Sequence, residues 1–131
     1  MLWASSSFAR ASPSSSSSSI FAFAAFAAGF ISFRDKTVRV WLLNGTLENT
    51  FELHTSWVNA LVALPDNQHA LSGSRDKTVK LFNVNDGAVL RTFKHHTWSV
   101  TCLALLPDGL RFVSGSEDRT ACIAYHGLAL Q

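Results

Sequence analysis

The sequence predicts an all-β fold of short antiparallel strands grouped four to a unit, and three observations predict it. A block of about 42 residues repeats from residue 35 onward. Each copy breaks into short apolar runs closed by turn residues, and no window after residue 33 carries a 3.6-residue apolar period. Composition is compatible with one such domain: 131 residues, 47% hydrophobic, 15% charged, formal net charge +2. The near-neutral sum supports neither a phosphate-binding stripe nor a polybasic membrane patch, so no nucleic-acid partner is predicted. Two cysteines, Cys102 and Cys122, are too few for a disulfide framework or a four-thiolate zinc site. No apolar run reaches the ~20 residues of a spanning helix, so no membrane span is predicted.

The repeat is visible residue by residue. Asp35-Lys36-Thr37-Val38-Arg39-Val40-Trp41 returns as Asp76-Lys77-Thr78-Val79-Lys80-Leu81-Phe82, and again, eroded, as Asp118-Arg119-Thr120-Ala121-Cys122-Ile123-Ala124. A second block keeps the same step: Phe51, His54, Val58, Leu61, Pro65-Asp66, Leu71 and Ser72-Gly73-Ser74 match Phe93, His96, Val100, Leu103, Pro107-Asp108, Val113 and Ser114-Gly115-Ser116, every pair 42 residues apart.

Each unit reads as strands and turns. Val58 to Leu64 and Val100 to Leu106 are apolar runs ended by Pro-Asp, a turn signal. Ala70 to Gly73 and Phe112 to Gly115 are short strands stopping at glycine. Thr78 to Phe82 alternates as a half-buried strand does. Asn83 to Gly87 turns the chain, and Val89 to Phe93 makes a fourth strand. Four short strands per ~42 residues describe one blade of a β-propeller. The predicted units are residues 34–50 (partial), 51–92 and 93–131, within a domain of 34–131. About two and a half blades make an incomplete ring, since propellers close with roughly four to eight. Open blade faces invite self-association.

These motifs resemble the WD-repeat β-propellers. The unit of that family opens with Gly-His, runs through Val-x-x-Val-x-Phe-Ser-Pro-Asp-Gly and Ser-Gly-Ser-x-Asp-x-Thr, and ends in Trp-Asp. Here Leu53-His54, Val58-x-x-Leu61, Pro65-Asp66, Ser72-Gly73-Ser74-Arg75-Asp76-Lys77-Thr78 and Phe82-Asn83 follow it. So do His95-His96, Val100-x-x-Leu103, Pro107-Asp108-Gly109 and Ser114-Gly115-Ser116-Glu117-Asp118-Arg119-Thr120. Neither copy keeps the glycine before histidine or the terminal tryptophan, and Ala124 replaces an aromatic altogether.

Two functional readings of the polar residues compete. His54, Ser72 and Asp76 have the composition of a catalytic triad, and so do His96, Ser114 and Asp118 one period later. Duplicate active sites on adjacent blades, with no nucleophile-elbow motif, make a serine hydrolase the weaker alternative. The resemblance implies instead a structural hydrogen-bond network in each blade, with three members where Phe82 and Ala124 lack an indole N–H. It leaves no catalytic and no metal residues, and no cofactor. Cys102 is expected to be a buried, inert thiol, and Cys122 to face solvent, as do its counterparts Arg39 and Lys80.

The resemblance also implies a scaffold that binds other proteins through loops at the blade ends. Candidate contacts are Arg34, Arg75 and Glu117 just before the turn aspartate, Lys36, Lys77 and Arg119 just after it, and Trp57 and Trp98 as aromatic anchors.

Residues 1–33 differ in kind. They hold one charge, Arg10, an unbroken run from Ser14 to Ser19, and the apolar stretch IFAFAAFAAGFI from Ile20 to Ile31. A serine tract buries nothing apolar and is expected to be disordered, giving a disordered or weakly structured N-terminal segment. Three readings stay open: a targeting peptide, a strand through Phe30-Ile31-Ser32-Phe33, or low-complexity sequence joined to a real domain in a truncated or misassembled gene product. The domain alone suits the cytoplasm or nucleus; a cleaved leader in residues 1–30 implies an organelle or secretion.

Overall fold

The computed structural model describes residues 8–10, 22–26, 29–34, 36–42, 44, 46–66 and 68–128. The serine run and its expected disorder lie outside these residues. Among the described residues there is no helix, and twelve strands form three antiparallel sheets. The first sheet has the order β2 (Ala22–Phe26), β3 (Gly29–Arg34), β4 (Thr37–Leu42), β5 (Leu47–Glu52). In the second, β6 (Val58–Ala63), β7 (His69–Ser74), β8 (Val79–Asn83) and β9 (Val89–Phe93) follow one another, and β1 (Phe8–Arg10) adds at the free edge of β6. The third is β10 (Val100–Leu105), β11 (Arg111–Ser116), β12 (Ala121–Tyr125).

The turn residues act through their side chains. Asp66 Oδ1 accepts hydrogen bonds from the N–H groups of Gln68 (2.9 Å) and His69 (3.0 Å). Asp108 Oδ1 does the same for Leu110 (2.9 Å) and Arg111 (3.1 Å). A carboxylate that satisfies two N–H groups while proline sets φ is why Pro-Asp reverses the chain at this point in both copies.

The second sheet is covered on both faces. Val38 and Val40 of β4 pack with Val58, Leu61, Ala70 and Phe82 on one side. On the other, Val62, Leu71, Val79, Leu81 and Phe93 pack with Val100, Leu103 and Phe112 of the third sheet. Burial on two faces explains why β6 is apolar almost without interruption instead of alternating. Gly73 lies at this contact: a Cβ there would fall 2.7 Å from Val100 Cγ1. Asn59 Nδ2 donates to Val100 O across the same junction (3.0 Å), and the Phe93 and Phe112 rings meet edge to face with centroids 5.0 Å apart.

The sheets and the sequence period are out of phase. β5 runs across the boundary between the units predicted at 34–50 and 51–92 and is the outer strand of the first sheet, while β6, β7 and β8 of the unit 51–92 lie in the second. The chain is thereby stitched from sheet to sheet. The first sheet also exceeds the two strands that its motif marks, because Ala22–Phe26 and Gly29–Arg34 supply two more; the strand suggested at Phe30 to Phe33 lies within β3. The outer face of the third sheet is open: Ile123 and Tyr125 are 62% and 63% exposed, whereas Leu81, the counterpart of Ile123, is 1% exposed. Among the described residues the first and third sheets share no core cluster, each packing against the second alone, so these sheets do not form a closed ring. Both cysteines are half-buried, a correction to the full burial expected of Cys102 and the solvent-facing position expected of Cys122. Cys102 sits at the register shift of β10 beside Gly115, and Cys122 pairs with Ser114 on β12, which among the described residues has a partner strand on one edge.

Candidate functional site

The structure brings the six polar candidates together in two matching sets. His54 lies between β5 and β6, Ser72 in the middle of β7 and Asp76 in the β7–β8 turn. His54 Nδ1–H donates to Asp76 Oδ2 (2.8 Å), and Nε2 accepts from Ser72 Oγ (2.7 Å). The tautomer follows from the carboxylate, which can only accept. His96 repeats the arrangement with Asp118 (3.0 Å) and Ser114 (2.8 Å). The imidazoles are buried in both sets.

Each aspartate is the hub of its turn. Burial pushes the Asp76 carboxyl upward, but hydrogen bonds from His54 and Thr78 outweigh it and hold the group well below its ordinary value of 3.8. Asp118 is held low chiefly by the Thr120 hydroxyl, against some desolvation, with help from the Thr97 N–H and His96. Asp76 Oδ2 also accepts from Thr55 N–H (3.2 Å), and its Oδ1 from Thr78 N–H (3.0 Å) and Thr78 Oγ1 (2.5 Å).

Threonine is the member that the sequence reading missed. Thr78 Oγ1 lies 3.3 Å from His54 Nδ1, and Thr120 Oγ1 lies 3.3 Å from His96 Nδ1. Each set therefore has four side chains although the indole is lacking. The signal was present as a threonine two residues after each turn aspartate. Ser74 and Ser116 were missed as well: Ser74 Oγ donates to Trp57 O (2.7 Å) and accepts from Asp76 N–H (3.0 Å), and Ser116 Oγ makes the same two bonds with Trp98 O and Asp118 N–H. Phe82 belongs to the apolar core on β8, and Ala124 packs partly buried against the second core.

A triad needs a nucleophile that substrate can touch. Ser72 is 0% exposed and Ser114 1%. Among the described residues, no group of three or more His, Cys, Asp or Glu side chains is placed to hold a metal.

The partner-contact candidates gather at the blade end that the networks brace. Arg75 N–H donates to Trp57 O (2.8 Å), and Glu117 N–H to Ser99 O (3.0 Å), so each β-turn is tied to the loop entering the same sheet. Trp57 is 50% and Trp98 62% exposed. Lys36, Arg75, Lys77, Glu117 and Arg119 are exposed, and Arg34 ends β3 at this same end. Thr97, Trp98, Glu117, Asp118 and Arg119 line an open hollow of about 540 Å³.

Successive antiparallel sheets of three to five strands, two of them braced by matching His–Ser–Asp–Thr networks, define a repeat protein of β-propeller blades. Two WD domain, G-beta repeat units are matched at residues 45–83 and 87–123, more than half of the chain, and the chain belongs to this WD40 family. It is 40% identical over 52 residues to nuclear distribution protein PAC1 of Coccidioides posadasii, covering 40% of this chain and 11% of that protein. It is 42% identical over 52 residues, with the same coverage, to nuclear distribution protein nudF of Aspergillus flavus. The chain thus spans about a tenth of the length of the curated relatives it matches. Among solved structures it resembles the WD40 β-propeller domain of Doa1 (TM-score 0.69, 34% identity, 76% of this chain and 33% of that one). It also resembles the computationally designed Ika8 protein (TM-score 0.67, 28% identity, 79% and 32%).

Proposed function

We propose that the chain is a non-enzymatic protein-interaction scaffold, part of a larger propeller, whose His–Ser–Asp sets are structural and whose blade-end loops meet the partner. The observation that carries this reading is the contrast between sealed serines and exposed tryptophans. Ser72 and Ser114 are buried inside their sheets, while Trp57 and Trp98 stand in solvent on turns held by several side-chain hydrogen bonds. Rigid loops carrying large aromatic side chains lose little entropy on binding and suit protein recognition.

A photo-crosslinking side chain placed at 57 or 98, with one at 86 on the opposite end as control, tests the reading in cell extract. Recurrent adducts with the same proteins from 57 and 98, and not from 86, are expected. Equal labelling from all three positions would overturn it. The hydrolase alternative has its own test: an esterase activity lost in the Ser72→Ala, Ser114→Ala double variant would restore it.

A further inference from the structure

His126, just after β12, is a buried histidine where the preceding repeat has an apolar residue. Its counterpart 42 residues earlier is Val84, which is 2% exposed in the first core, and His126 is 0% exposed. The backbone is alike at both positions: Val84 N–H donates to Gln68 O (2.9 Å) and His126 N–H to Leu110 O (3.2 Å), acceptors that are again one period apart. Only the side chain differs.

Backbone groups take up both nitrogens of the ring. Nε2 lies 2.7 Å from Gly109 O, and Leu128 N–H donates to Nδ1 (3.1 Å). A carbonyl oxygen only accepts, so Nε2 carries the proton; an amide N–H only donates, so Nδ1 is bare. The two bonds together require the neutral ring. His54 and His96 hold the opposite tautomer, with Nδ1–H on a carboxylate that also suits a charged ring. The carboxylate nearest His126 in the β10–β11 turn, Asp108, is engaged elsewhere: Oδ1 accepts from the N–H groups of Leu110 and Arg111, and Oδ2 from Arg111 Nε (2.7 Å). The other ionisable groups around the segment are Arg91 on β9 and Tyr125 on β12, whose ring the Arg111 guanidinium overlies at 6.0 Å.

Residues 126–128 join two sheets. His126 fastens them to the β10–β11 turn, and Leu128 packs on the core shared by the second and third sheets. Gly127 lies against Arg91 of the second sheet, so closely that a Cβ there would fall 2.8 Å from Arg91 Cζ.

We propose that His126 is a pH-sensitive latch: the neutral ring holds residues 126–128 across the junction of the second and third sheets, and protonation at Nδ1 releases them. A proton on Nδ1 turns the acceptor into a second donor facing Leu128 N–H, and it places a charge in a buried site where no carboxylate bonds the ring. In the released segment the imidazole meets water and takes up a proton near the ordinary histidine value of about 6.5. The released form binds the extra proton, so the latch holds above that pH and release is favoured below it.

The test is amide hydrogen exchange of the full chain by NMR, read as protection factors so that the intrinsic pH dependence of exchange is removed. Between about pH 7.5 and 5.5, protection of the residue 126 amide is expected to fall, by up to about tenfold per pH unit for one linked proton, while the Val84 amide stays protected. His126→Val keeps the backbone bond seen at Val84, and its residue 126 amide is expected to stay protected at both pH values. Ring nitrogen shifts of the parent are expected to report the Nε2–H tautomer at pH 7.5. Unchanged protection in the parent at pH 5.5, an equal fall at residues 84 and 126, or the same fall in the variant would each overturn the proposal. An Nδ1–H or charged ring at pH 7.5 would overturn it without recourse to the variant.

Discussion

The His54 imidazole meets the Ser72 hydroxyl at 2.7 Å inside the second sheet, with Ser72 fully buried. Removing the hydroxyl leaves a ring nitrogen without its partner in a place water does not reach. Ser72→Ala is therefore expected to lower unfolding stability by about 1–3 kcal/mol in urea titration. A change within about 0.3 kcal/mol would mean that the bond contributes little.

Acid should act through the aspartates. The Asp76 carboxyl is held below its ordinary 3.8 in the folded chain, so the unfolded chain takes up a proton first as pH falls. Its stabilising contribution is present above about pH 4 and is lost as pH drops below 3.8 toward the folded value. Asp76→Asn should be less stable at pH 7, with a shallower loss of stability between pH 4 and 2. Parallel curves for the parent and the variant would count against this assignment.

The third sheet should be the looser one. It has one covered face, and Ala124 stands where the second sheet buries Phe82. Amide exchange is expected to be faster in residues 95–125 than in 53–83; the reverse order would contradict the argument.

Gly73 lies against the third sheet, where a Cβ would fall 2.7 Å from Val100 Cγ1. Gly73→Ala forces the sheets apart or displaces Val100, and a cost of about 1–3 kcal/mol is expected. Val100→Ala in the same chain should restore part of it. Absence of rescue would place the strain elsewhere.

Ile123 and Tyr125 present an apolar face whose counterpart in the second sheet is covered. Light scattering on a sizing column should give a mass above that of one chain, and Ile123→Glu should return it to one chain. A parent chain that is monomeric at all concentrations would show that this face tolerates water.

Much of the fold was legible because the WD40 repeat is local. Pro65-Asp66 and Pro107-Asp108 state their turns outright, and the 42-residue offset places strands without reference to tertiary contacts. The His–Ser–Asp sets were legible for the same reason, since two copies at one period exclude coincidence. Thr78 and Thr120 were harder to read, because Asp-x-Thr also suits a simple hairpin turn and only the position of the imidazole shows the hydroxyl to be shared. Strands β2 and β3 carry no repeat motif: Ala and Phe in low-complexity order do not announce a partner strand, and their place follows from pairing with β4.

The sequence by itself determined the all-β class, the blade period, the turns and the composition of the polar sets. All of these rest on interactions between residues close in the chain or one period apart. Tertiary structure alone decided which surfaces are sealed. Sheet packing buries Ser72 while exposing Trp57, and leaves Ile123 in solvent where Leu81 is covered. Burial depends on which sheet lies across a face, and that neighbour is supplied by residues distant in sequence.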